Sequence, residues 1–317
     1  MFERFFACFH LECLTFSPSR FSLFSFHVGL FGFSACSRLP VDPKKLSVLI
    51  DWVQLDPNWR KKVKGSSCHW YYILLTPQKW LIDTHMDAGI NLLRLRYTKH
   101  PEWFRSDRIC LLDTAFTQIW SAKYKEFLNS PANPDGSGKL LPSGALYYYT
   151  GEHPAYCRSD KTWVLEIDDI YVPLFINEDH WVACWISIPR RHIVIWDSFV
   201  GHTDDKEIAE AVKPIAHMLP YMLHMLSRGE DRELYTVDFT HERVPATETP
   251  QNVQSGDCGV YCLKYIECHA LGLAFPFHDF CDKNVKQMRA KLAAEIFDET
   301  NINGTETREY KTALVYE

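Results

Sequence analysis

The sequence lacks an excess of basic charge. Its 34 Lys and Arg residues are outnumbered by 40 Asp and Glu, for a formal net charge of −6. That excludes a nucleic-acid binder relying on overall positive potential. Paired metal-ligand spacings are missing too. Cys258, Cys262, Cys268 and His269 cluster along the chain, but there is no CxxC pair and no partner pair at zinc spacing, so no metal and no cofactor are expected. No internal repeat is visible, which argues against a solenoid or array. The chain also has no clean membrane span. Its long uncharged run, Phe21 to Ser37, is interrupted by Ser22, Ser25, His27, Ser34 and Ser37. Glu3 and Glu12 argue against a signal peptide. No clear basic targeting cluster is present either, Lys61-Lys62-Val63-Lys64 being weak.

What is there is globular. With 317 residues and 46% hydrophobic content, the chain can bury a full core without staples. The 11 cysteines are unevenly spread, and their odd number leaves at least one unpaired. A reducing, intracellular compartment, nuclear or cytoplasmic, is the simpler reading.

Residues 1–40 form a Phe/Ser-rich extension expected to be poorly ordered, and residues 41–79 are a mixed lead-in with no assigned role. From Trp80 the pattern sharpens. Asp83 is positioned to cap a helix that carries Met86, Ile90, Leu93 and Tyr97 at helical spacing. A second helix fits Thr114 to Leu128, and Asn129 to Gly138 is a loop. Trp163–Ile167, Ile170–Ile176, His180–Ile188 and His192–Trp196 read as strands, the last two joined by a turn at Pro189-Arg190-Arg191. A helix from about Asp204 to Leu226 follows, with Pro214 and Pro220 expected to kink or interrupt it. Leu234 to Val244 reads as another strand. Two helices close the chain, one starting near Cys258 and one covering about Asp282 to Phe297. The tail, 301–317, is polar and expected to be loose. Interleaved helices and strands predict an α+β or α/β class with a mixed central sheet flanked by helices.

The stretch from Pro250 to Tyr261 places Cys258 at the first turn of a helix that stops near Gly272. Backbone N–H groups there have no partner inside the helix, and the helix dipole favours an anion. A thiol at such a place forms its thiolate, the nucleophilic species, more readily. Gly256 and Gly259 are expected to leave room for a substrate backbone. Asp257 is placed to cap the helix, and its N–H with that of Cys258 to face a developing oxyanion.

A cysteine hydrolase also needs a base and a group that orients it. His180 opens one predicted strand and Asp197 follows the end of the next, so a tight hairpin lays the two side by side. In that arrangement Nδ1 of His180 donates to Asp197 and Nε2 faces Cys258. Each residue has a plainer alternative: Cys258 a buried structural cysteine, His180 a surface histidine beside Glu178 and Asp179, Asp197 a turn residue. The joint order is harder to reach by accident.

His180-Trp181, Trp196-Asp197-Ser198, Pro250-Gln251-Asn252 and Gly256-Asp257-Cys258-Gly259-Val260 together resemble the ubiquitin-like-protein-specific cysteine proteases. These are the Ulp or sentrin-specific type that process SUMO and related modifiers. Trp80-Leu81-Ile82-Asp83 is similar to the helix opening of that family, so the resemblance spans about residues 80–270. The wording of the helices looks like the large plant subgroup, some members of which sit in transposon-derived genes. The resemblance implies a papain-like fold over residues 80–300 and a peptidase or isopeptidase acting after the Gly-Gly end of a ubiquitin-like modifier. It implies Cys258 as nucleophile, His180 as base and Asp197 as orienter, with Trp80 and Trp181 as aromatic walls of a narrow substrate tunnel. A monomer is expected, with the modifier and its conjugates as partners. One position departs from the pattern: where the family carries an oxyanion-binding glutamine, this chain has Asn252, with Gln251 beside it as the alternative donor. The same resemblance admits a second outcome, a catalytically weak or inactive protein that keeps the fold and binds the modifier.

Overall fold

A computed structural model describes residues 41–55, 66–131, 139, 141–152, 159–227 and 237–302, with side chains to residue 299. The expectations for residues 1–40, the uncharged run included, and for residues 303–317 lie outside the described residues. Among those described, no helix is long and apolar enough to cross a membrane.

The helices are α1 (Pro43–Leu55), α2 (Ser67–Leu75), α3 (Asp83–Lys99), α4 (Thr114–Asn129), α5 (Ala145–Thr150), α6 (Asp205–Leu226), α7 (Cys258–Ala270) and α8 (Val285–Ile302). The strands are β1 (Ile109–Leu111), β2 (Asp169–Ile176), β3 (His180–Ser187), β4 (His192–Trp196) and β5 (Thr240–Arg243). They form one sheet in sequence order, β2–β3–β4 antiparallel, with β1 and β5 added parallel at the two edges. This is the expected mixed α+β sheet.

The central strands are covered on both faces, which is why they read as near-continuous apolar runs. On one face Ile170, Val172, Val182, Cys184, Ile193 and Ile195 pack with Phe116 and Trp120 of α4 and the apolar side of α6. On the other, Tyr171, Trp181, Trp185 and Trp196 pack with Tyr261, Cys262 and Tyr265 of α7. The same cluster takes in Leu49 and Leu74, so the unassigned lead-in supplies two helices, α1 and α2, both packed on α8.

Three expectations change. Trp163–Ile167 is a turn closed by an isolated bridge, with Val164 at φ 71°, and not a strand. The strand expected from Leu234 to Val244 is confined to Thr240–Arg243; residues 234–236 lie outside the described part. Helix α6 runs through both Pro214 and Pro220 without interruption. At Pro220 the carbonyl left without its intrahelical donor belongs to Ala216, and it accepts the Phe239 N–H at 3.0 Å, so the loss is made good from outside the helix. The start of α6 is fixed by a reciprocal cap: Asp204 accepts from Glu207 N at 2.8 Å and Glu207 accepts from Asp204 N at 2.9 Å.

Candidate active site

Residues from three elements meet at one end of the sheet. His180 is the first residue of β3, and Asp197 directly follows β4. In the β3–β4 pairing Ala183 lies opposite Trp196, so continuing the hairpin brings Asp197 alongside the start of β3. There His180 Nε2 lies 2.8 Å from Asp197 Oδ1, both side chains buried. Cys258, the first residue of α7 and a free thiol, stands next to His180, close enough to raise its proton affinity.

The ring is turned from the sequence expectation. Nε2 is the nitrogen that donates to Asp197, which leaves Nδ1 for the sulfur. The reason is reach: His180 stands at the strand end, beyond the last paired residue of β4, and the far ring nitrogen is the one that meets the carboxylate.

The electrostatics follow from this packing. Burial by itself works against a charged imidazole, but the hydrogen bonds and charges of Asp197 and Cys258 outweigh it, raising His180 from 6.5 to about 9. Burial would likewise raise Asp197. The His180 bond, the Phe199 N–H at 2.8 Å and the Arg243 guanidinium hold it below the usual carboxylate range instead.

The segment before Cys258 is docked on the turn after Asp197. Gln251 Nε2 donates to Asp197 O at 2.7 Å, and its Oε1 accepts from Val200 N at 3.2 Å. Asn252 N donates to Ser198 O at 2.7 Å. Gln251 is thus a brace for the Asp197 turn. Asn252 differs: its side-chain Oδ1 and Nδ2 are buried and make no hydrogen bond among the described residues. A buried amide without a partner is uncommon and asks for a reason.

Three local expectations are corrected. Asp257 sits at the N-cap of α7 but makes no capping bond; its carboxylate is taken by Arg289 Nε at 2.7 Å and Gln78 N at 3.0 Å. Gly256 and Gly259 are needed by the protein's own packing. A Cβ at Gly256 (φ +94°) would lie 2.4 Å from Gln78 O, and one at Gly259 3.0 Å from Leu81 Cβ and Met86 Sδ. Helix α3 begins at Asp83 itself, so Ile82 holds the cap position expected of Asp83, and the Ile82 N–H donates to His85 Nδ1 at 3.2 Å.

The two tryptophans separate. Trp80 is 39% exposed beside exposed Ile82. Trp181 is 1% exposed, stacked on Phe175 with ring centroids 4.4 Å apart. On a strand, neighbouring residues point to opposite faces, so Trp181 faces away from His180 into the core. Its Nε1 donates to Leu81 O at 2.8 Å, which anchors the segment that carries Trp80. Of the two tryptophans expected along the substrate tunnel, Trp181 is thus the buried one, supporting the segment that carries Trp80.

Two arginines that no sequence pattern marks belong to this site. Arg243, at the end of β5, bonds Asp197, and Arg289 of α8 bonds Asp257. Among the described residues no three His, Cys, Asp or Glu side chains are grouped to hold a metal ion.

Residues 79–301, more than half of the chain, match the family model for the Ulp1 protease family, C-terminal catalytic domain. The chain belongs to the Ulp1 protease family. It is 24% identical over 226 residues to a putative ubiquitin-like-specific protease 1B of Arabidopsis thaliana, covering 70% of this chain and 55% of that one. To ubiquitin-like-specific protease 1A of the same plant it is 23% identical over 223 residues, covering 68% and 41%. The chain therefore spans about half the length of these curated relatives. Among solved structures, the Ulp1 protease domain in complex with Smt3, the yeast ortholog of SUMO, matches with a TM-score of 0.52 at 16% identity, covering 82% of this chain and 97% of that one. The Ulp1-like SUMO protease catalytic domain of Chaetomium thermophilum matches with 0.51 at 18% identity, covering 82% and 90%. These likenesses place the fold with that of the Ulp1 catalytic domains.

Proposed function

We propose that this Ulp1-family domain is a cysteine peptidase that cleaves after the Gly-Gly terminus of a ubiquitin-like modifier, from a lysine isopeptide or a precursor peptide bond. The observation that carries the proposal is the buried His180 Nε2–Asp197 Oδ1 contact with Cys258 set against the same ring at the start of α7. Nδ1 of His180 takes the thiol proton, and Asp197 stabilises the imidazolium that forms. The thiolate attacks the terminal glycyl carbonyl carbon. Negative charge gathers on that oxygen, and the Cys258 backbone N–H with the unpartnered amide of Asn252 stabilises it. His180 then protonates the leaving amine, and a thioester to Cys258 remains. Water, deprotonated by His180, hydrolyses the thioester and frees the modifier.

Gln251 is the weaker oxyanion candidate, because both ends of its amide are already engaged. Trp80 is the exposed aromatic that a side-chain-free Gly-Gly strand would lie along.

The test is a panel of modifiers carrying a C-terminal electrophile, with the adduct read by intact mass. One modifier should add once, at Cys258, and Cys258→Ser should abolish both adduct and turnover. Modifier binding without any adduct in the wild-type chain would instead mean a protein that keeps the fold without the activity. Turnover retained in Cys258→Ser would overturn the assignment of the nucleophile.

A further inference from the structure

The Asp197 carboxylate has a second partner that the triad does not require. Strand β5 lies parallel to β4 with Arg243 opposite Ile195, which carries the guanidinium to the turn after Trp196. Arg243 Nη2 donates to Asp197 Oδ2 at 2.5 Å and to Val200 O at 2.9 Å, and Nη1 donates to Asp205 Oδ1 at 2.9 Å. The arginine side chain is 9% exposed and the aspartate fully buried.

We propose that Arg243 is a positioning residue of the triad: it fixes the rotation of the Asp197 carboxylate and limits how tightly that carboxylate holds the proton on His180. The proposal rests on the Cys258–His180–Asp197 reading given above.

The geometry divides the work between the two carboxylate oxygens. Oδ1 accepts from His180 Nε2 and from Phe199 N, both at 2.8 Å. Oδ2 is met by Arg243. Without that guanidinium, Oδ2 would be a buried anionic acceptor with no charged donor, and the carboxylate would be free to rotate. Nη2, which donates to Oδ2 and to Val200 O together, prevents this.

The other groups around Asp197 do not duplicate this. From β3 comes His180, and from α7 Cys258. Cys262 and Tyr265, farther along α7, are buried with their proton affinities pushed up, so they stay neutral. His202, whose ring centroid is 5.2 Å from that of His180, pairs with Asp179. Asp205 faces the far side of the guanidinium and is 89% exposed. Arg243 is therefore the permanent positive charge on Asp197 among the described residues. With it removed, the carboxylate's attraction for the imidazolium is uncompensated. His180 then keeps its proton to higher pH and yields it less readily to the leaving amine.

The experiment measures kcat and KM against pH with a fluorogenic modifier substrate of the class identified by the probe panel, on the full chain. In Arg243→Met the alkaline limb should rise by roughly one pH unit. The value of kcat should fall about tenfold while KM stays within about twofold. Arg243→Lys should return the limb towards its wild-type position. Asp205→Asn should leave the profile unchanged. If Arg243→Met does not fold, Arg243→Gln, which keeps a donor without the charge, is measured in its place. An unmoved limb in a folded neutral variant, with Cys258→Ser inactive, overturns the role of Arg243 and leaves the triad intact. Activity in Cys258→Ser overturns the triad reading itself.

Discussion

The Arg289 guanidinium holds the Asp257 carboxylate at 2.7 Å, fully buried, one residue before the cysteine of the site. The same guanidinium donates to the carbonyls of Ile73, Leu74, Lys79 and Gly256. One side chain of α8 thus ties the end of α2, the segment leading to Trp80 and the turn leading to Cys258. Removing it strands a buried carboxylate and frees four carbonyls. Arg289→Met should destabilise the protein by about 3–5 kcal/mol, measured by urea denaturation followed by circular dichroism. A midpoint equal to that of the wild type would show that the pair is dispensable.

The His180–Asp197 pair gives a pH dependence with a definite sign. In the proposed mechanism the imidazolium protonates the leaving amine, and His180 is raised from 6.5 to about 9. The kcat/KM profile should therefore hold through neutral pH and decline as pH rises through about 9. Asp197→Asn removes the anion and should move that limb to lower pH. In stability, a raised folded value means the contribution is fully present below 6.5 and lost as pH rises through about 9. The stability difference between wild type and His180→Ala should shrink across that window. A difference that grows with pH would contradict the assignment.

Asn252 and Gln251 are adjacent but have opposite situations. Asn252→Ala should lower kcat by roughly 100-fold or more, as loss of an oxyanion donor does, without lowering the melting temperature, because its buried amide makes no hydrogen bond to lose. Gln251→Ala should lower the melting temperature, because the Asp197 turn loses its brace. Steady-state kinetics and thermal melts on the two variants separate the roles. The reverse pattern would move the oxyanion role to Gln251.

Trp80 and Trp181 should differ in the same manner. Trp181→Ala empties a core site and should cost about 3–5 kcal/mol, seen in denaturant melts. Trp80→Ala should change stability little and raise KM for the modifier substrate. An unchanged KM would remove Trp80 from the substrate path.

Local pattern made much of this site legible. A strand that begins with His180, a short turn, and a strand that ends just before Asp197 form a hairpin, and hairpin registry follows from turn length and alternation. The start of α7 at Cys258 was legible for a similar reason, since turn formers give way to an apolar helical run. The choice of ring nitrogen on His180 was not legible, because it depends on how far the strand end stands from the carboxylate. The burial of Trp181 was not legible either: an indole reads the same in sequence whether it stacks on Phe175 or faces a ligand.

The sequence by itself determined the mixed α+β class, the hairpin and the order of His, Asp and Cys, because each rests on periodicity and turns within a few residues. Only the tertiary structure decided which charges complete the site. Arg243 and Arg289 carry no local signature, since a buried guanidinium is stable only where packing has brought together a carboxylate and carbonyls that lack other donors. Those acceptors come from segments that are distant in sequence and meet only in the folded sheet and its covering helices.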